Sequence, residues 1–306
     1  MLEWTLGAER SAEDWNIACA DHLHGLRTRP AAQVVTDLVI DFYALRQQME
    51  TSTAKDLREL HRTAAMLSSI QANALTRLGD HGAALRWWHT ARQAADASRD
   101  DSLNVLIRAE EASCGLYGQR SPTTVLRLVE HAHRIVIPNP CLKLVGAKAK
   151  ALAMLGRSGE ASETMHVLLR HADQGAGGDA QGVWTSADTH FTRSWVHSAA
   201  GEETLAEAAR QELLRLTADW AARENSPYRT NADLHAALGM VTRGAVDSGM
   251  RHAAEAIDAL PSDLRHVFVM ETGRMVLRAV PFDQRSRPAV NDLRAMLTPD
   301  HDNVPV

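Results

Sequence analysis

The chain has 306 residues, a hydrophobic fraction of 45% and a formal charge of −5, so it can bury a large core but offers no bulk attraction to a phosphate backbone. Binding of nucleic acid by this chain alone is therefore not expected. Cys19, Cys114 and Cys141 are odd in number and widely spaced, which argues against a disulfide framework or a zinc knuckle and fits a reducing cytoplasm.

Residues 1–52 read as N-terminal entry helices. Ser11 with Asp14 three residues later forms a capping box ahead of Trp15, Ala18 and Leu23. Pro30 sits at a helix start, and Val34, Val35, Leu38, Phe42, Leu45 and Met49 mark one apolar face. Thr53 with Asp56 opens a longer helix through Leu57, Leu60, Ala64, Leu67, Ile70, Ala74 and Leu78, which ends at Gly79. Ser121-Pro122 caps a helix over 122–136, and Pro138 and Pro140 interrupt the path beyond it. A further unit spans about Cys141 to Ala172, followed by a loop at Gln174 to Asp179. Thr185 with Asp188, and Thr230 with Asp233, restart helices. Residues 263–298 hold two capping helices, near 263–279 and 288–297, and 299–306 form a frayed tail.

A repeat organises the central stretch, 53–262. With Gly79, Arg120, Gly156, Gly201 and Gly244 taken as successive turns, the interval is roughly 36 to 45 residues. Seven residues before each turn stand Ala72, Ser113, Ala149, Ser194 and Ala237. Five after stand Ala84, Val125, Ala161, Ala206 and Gly249, and twelve after stand Ala91, Ala132, Leu168, Leu213 and Ala256. Small side chains at such places let two helix backbones approach to about 8–10 Å. The expected fold is all-α: about five stacked helical hairpins.

The stretch Leu78 to Ala91 resembles a tetratricopeptide repeat (TPR), with Ala84, Trp88 and Ala91 on its small, aromatic and small positions. Gly244, Gly249, Ala253, Ala256 and Pro261 follow the same ladder, whereas Arg120 replaces a turn glycine and Arg210 an aromatic. Taken with Arg46-Gln47-Gln48-Met49-Glu50, Ala83-Ala84-Leu85-Arg86-Trp87-Trp88, Gly115-Leu116-Tyr117-Gly118-Gln119-Arg120-Ser121-Pro122 and Glu271 to Pro281, the chain resembles the C-terminal repeat half of bacterial XRE-type helix-turn-helix transcriptional regulators. The resemblance runs from about Trp4 to Leu297. It implies a TPR-like α-solenoid, with the DNA-binding head that precedes such repeats absent and Leu2-Glu3-Trp4 at the junction.

In TPR arrays the first helix of each hairpin lines a concave wall that holds peptide or small ligand. Carried onto this register, the wall comprises Asn73, Arg77, Glu110, Cys114, Tyr117, Lys143, Lys150, Asp188, Phe191, Trp195 and Asn231. Its polar members suit a carboxylate or an extended peptide, and Tyr117, Phe191 and Trp195 an apolar floor. The plain alternative is a solvated inner face with some packed aromatics.

The resemblance implies a ligand- or peptide-sensing effector that relays a conformational change to a DNA-binding head or partner outside this chain. An interaction scaffold and an atypical biosynthetic enzyme are the alternatives. No GxSxG, HExxH, P-loop or strand-borne GxGxxG occurs, and the His22/His24 and His131/His133 pairs have the wrong spacing for chelation on a helix, so no catalytic residue, cofactor or metal is expected. Asp37 with Asp41, and Glu110 with Glu111, read as solvated faces. No membrane association is expected, and a homodimer through residues 263–297 is.

Overall fold

The computed structural model describes residues 10–173, 184–218, 227–261 and 265–298. Every regular element among them is helical: α1 Ala12–Thr28, α2 Ala31–Thr51, α3 Asp56–Arg77, α4 His81–Ser98, α5 Asp101–Gly115, α6 Pro122–Ala132, α7 Leu142–Met154, α8 Ser158–Asp173, α9 Ser186–Ala200, α10 Glu203–Leu216, α11 Pro227–Thr242, α12 Val246–Asp258, α13 Val267–Arg278 and α14 Pro288–Leu297, with a 3₁₀ turn at Phe282–Gln284. None of these helices is long and apolar enough to cross a membrane. The expected loop at 174–179, the N-terminal junction and the tail beyond Pro299 lie outside the described residues.

The chain divides into two compact units, one of residues up to Lys148 with 173–184, the other of 149–172 with 185 onward. In the first, α3 packs on α1, α2, α4 and α5, and α5 packs on α6. In the second, α9 pairs with α10, α11 with α12 and α13 with α14, while α11 also packs on α9 and α13. Principal contacts thus join helices one or two apart in the chain.

Local chemistry sets the helix starts. The Ser11–Asp14 and Thr185–Asp188 capping boxes both form, and Ser121 caps α6 with Pro122 at its first position. At Thr230 the expectation fails. Helix α11 begins at Pro227, because proline's fixed φ already suits a first turn, and Thr230 lies buried inside it. Helix α6 also stops at Ala132, short of residue 136.

Helix ends repeat one device. Gly79, Gly156, Gly201 and Gly244 all adopt left-handed φ, between 70° and 90°. At each, the next residue's N–H reaches back five positions: Asp80 to Leu75 O at 3.1 Å, Arg157 to Leu152 O at 3.0 Å, Glu202 to His197 O at 2.9 Å and Ala245 to Met240 O at 2.9 Å. This closure satisfies carbonyls that a helix end leaves orphaned, and glycine adopts it without a Cβ clash.

The second turn corrects the sequence register by one residue. The equivalent bond runs from Arg120 N–H to Gly115 O, 2.9 Å, and the left-handed residue is Gly118, not Arg120. One extra residue therefore sits between α5 and α6. Counted back from the bond, the small crossing residue becomes Ala112, which is fully buried, and Ser113 is only half-buried. Arg120 has a different task. It and Arg92 pair with opposite oxygens of Glu111, whose side chain is completely buried, so Glu111 is not on a solvated face. Asp41 likewise leaves the solvated set, bonded to Arg10 Nη1 and His22 Nε2, each at 2.5 Å. The His22 bond and then Arg10 hold its carboxyl below the usual carboxylate range despite burial.

Most of the small residues expected at crossings are buried, though Ala256 is only half-buried. Ala72, Ala84, Trp88 and Ala91 are fully buried in the first unit, as are Ala149, Ala161, Ser194, Ala206 and Ala237 in the second. A Cβ built on Gly249 would lie 2.6 Å from Val241 Cγ2 and 2.8 Å from Ala237 O, so α11 and α12 touch backbone to backbone there. Gly249→Ala should cost about 1–3 kcal/mol. Gly82→Ala, whose Cβ would meet only Arg86 and Asp80 atoms at 3.6–3.7 Å, should be neutral or slightly stabilising. Thermal melts followed by circular dichroism check both; equal melting points would disprove the close contact.

Candidate functional site

The eleven expected wall residues fall into two groups, one in each unit. In the first unit the polar members serve the fold. Pro30 has no N–H, so the carbonyl of Leu26, four residues earlier near the end of α1, lacks its ordinary helical donor. Arg77 supplies one, its Nη1 donating to Leu26 O at 2.7 Å and its Nε to Asn73 Oδ1 at 3.1 Å. Lys143 pairs with Glu110, and Cys114 and Tyr117 are buried at the end of α5. Between α1, α3 and α5 lies a cavity of about 30 Å³, lined by Leu23, Met66, Ile70 and Leu106 with Asn73 and Glu110. That is room for water, far below the roughly 300–1,000 Å³ of a small-molecule site.

The second unit brings its members together. Helix α9 presents Phe191 and Trp195, one turn apart, and Lys150 near the end of α7 holds its Nζ 5.8 Å and 5.4 Å from their ring centres. Helix α11 presents Tyr228, Asn231 and His235, spaced three and four apart and therefore on one face. Phe191 lies edge-on to Tyr228 at 5.6 Å and to His235 at 5.0 Å, and Trp195 is 5.5 Å from His235. Asp188 stands at the margin and is occupied: one oxygen closes the α9 capping box, the other accepts from Tyr228 Oη at 3.2 Å.

Lys150 is only 5% exposed, Asn231 2% and His235 0%. Burying polar groups without partners costs free energy. His235 Nδ1 meets Ser194 Oγ at 2.9 Å, but His235 Nε2 and Asn231 Oδ1 have no hydrogen-bond partner among the described residues. Burial, reinforced by the positive charges of Arg210 and Lys150, pulls the His235 pKa down to about 3. A neutral, sealed imidazole beside a sealed Ser194 is a poor general base, so the pair links α9 to α11. Arg210, 4% exposed, is itself bound by Ser198, Glu203 and Glu207, which explains an arginine on an aromatic's position.

Tyr228 and His235 were absent from the expected wall. Their signal was Asn231 itself: steps of three back and four forward along α11 name them. Other chemistry is sparse. The cysteines are free thiols, Cys19 pushed up to about 12 chiefly by burial, and no group of three or more metal-ligating side chains occurs among the described residues.

No family model, curated protein or solved structure matches this chain.

Titration tests the electrostatics of the wall. In the unfolded chain a histidine takes its proton near pH 6.5, whereas folded His235 refuses it until about pH 3, so stability is complete above 6.5 and declines as pH falls through that window. His235→Asn should make the melting temperature less steeply dependent on pH between about 6.5 and 4. Parallel profiles for the two proteins would show that His235 is not the group being charged.

Proposed function

We propose that the chain is a recognition protein of tetratricopeptide type, the ligand- or peptide-sensing effector part of a transcriptional regulator, with its receiving surface on α7, α9 and α11. The tetratricopeptide reading is supported by the recurring glycine closure, by the burial of Ala84, Trp88 and Ala91, and by the backbone contact at Gly249. The recognition reading rests on one observation: Asn231 Oδ1 and His235 Nε2, one helical turn apart and buried, offer hydrogen bonds that no described residue takes up.

Because Asn231 is 2% exposed and Trp195 1%, α9 and α11 would part to admit a ligand whose N–H or O–H donor satisfies Asn231 and whose flat or apolar part lies against Phe191, Tyr228 and Trp195. Binding would move α9 relative to α11, and relay through the hairpins to a DNA-binding head or partner would follow from that shift.

The full-length chain should be screened by thermal shift against short peptides and small carboxylic acids. A ligand at about 100 times its Kd stabilises by roughly 2.7 kcal/mol, a readable shift. Asn231→Leu should weaken binding of any hit at least tenfold while its helical circular dichroism is unchanged. A hit that binds this variant as well as the parent protein would remove the wall as the receiving surface. Native mass spectrometry without adducts, together with a screen without hits, would favour the scaffold reading.

A further inference from the structure

Among the described residues, exposed large apolar side chains are scattered singly except on the first hairpin, where Ile17, Val39, Ile40 and Tyr43 gather. Val39, Ile40 and Tyr43 on α2 are 61%, 59% and 55% exposed. By contrast, on the 3₁₀ turn between α13 and α14 the exposed Phe282 is 5.7 Å from its own Arg285. That hairpin is a weaker candidate for pairing than residues 31–51.

The outward residues of α2 follow a seam. Gln33, Thr36, Ile40, Tyr43, Gln47 and Glu50 are exposed and spaced alternately three and four apart, the a/d pattern by which one helix packs along another. The seam is about 25 Å long. Two copies of a chain with net charge −5 repel each other, so a contact between them needs a locally neutral face. This seam is one: its sole charged member, Glu50, is paired with Arg46 at 3.1 Å, and neighbouring Asp37 with Arg29 at 2.7 Å.

We propose that this face binds a second copy of the chain, α2 against α2 in antiparallel orientation about a twofold axis. An antiparallel a/d register sets Ile40 against the partner's Tyr43, Thr36 against the partner's Gln47 and Gln33 against the partner's Glu50. Each layer occurs twice by symmetry. The two central layers are apolar, and the outer four match amide or hydroxyl donors with acceptors. No layer opposes like charges. A single helix seam buries less than the roughly 800 Å² per partner of a standard interface, so a dissociation constant on the order of 100 µM is expected.

Sedimentation equilibrium of the full-length chain tests both the surface and the register. The mean mass of the unmodified protein should rise from 33.5 kDa toward twice that value as its concentration approaches about 1 mM, where about four fifths of the chains would be paired. Ile40→Glu and Tyr43→Arg, each at an exposed position, should weaken pairing at least tenfold with unchanged circular dichroism. An equimolar mixture of the two variants should pair again, because the register sets the new glutamate of one chain against the new arginine of the other. A single 33.5 kDa species at about 1 mM, an Ile40→Glu protein that pairs as tightly as its parent, or a mixture that stays monomeric would each overturn the proposal.

Discussion

Close backbone approach between successive helices is the constraint on which the rest depends. At Gly249 it leaves no room for a methyl group, and alanine or serine occupies most of the other positions where helices cross, with Val125, Leu168 and Leu213 the bulky exceptions. Helices this close need short connections, and short connections need a chain reversal within two or three residues. The left-handed glycine with its five-residue back-bond provides the reversal while satisfying carbonyls that would otherwise be buried unpaired. The small crossings, the turn glycines and the spacing between them are one requirement seen at three places.

From that requirement follows what each helix can present. In the second unit the first helices of adjacent hairpins, α9 and α11, pack side by side, so their aligned rows can meet across a shared surface. Phe191 and Trp195 form one row, and Tyr228, Asn231 and His235 the other. Ser194 sits at a crossing and also holds His235, so a single side chain serves both helix approach and the polar layout of the wall.

Much of this was legible in the sequence, for reasons of local chemistry. Capping boxes, an early proline and turn glycines act within a few residues, and the starts of α1, α6 and α9 came out as read. What was missed involved partners far along the chain. Glu111 looked solvated because Arg92 and Arg120, which neutralise it, lie 19 and 9 residues away. Arg77, expected on the ligand wall, has a structural partner the local sequence does not announce, the carbonyl of Leu26, 51 residues upstream of it. The one-residue slip at the second turn arose because Arg120 is the last residue before the cap of α6, and the glycine that reverses the chain comes two residues earlier.

Helix α5 ends by its own back-bond and α6 begins with its own Ser121 cap, so the residue added between them changed neither buried stripe. Start and stop signals carried separately by each helix uncouple connection length from interior geometry. A protein built this way can gain or lose loop residues over evolutionary time without re-registering its core, which makes its connections the natural place for new specificity to arise.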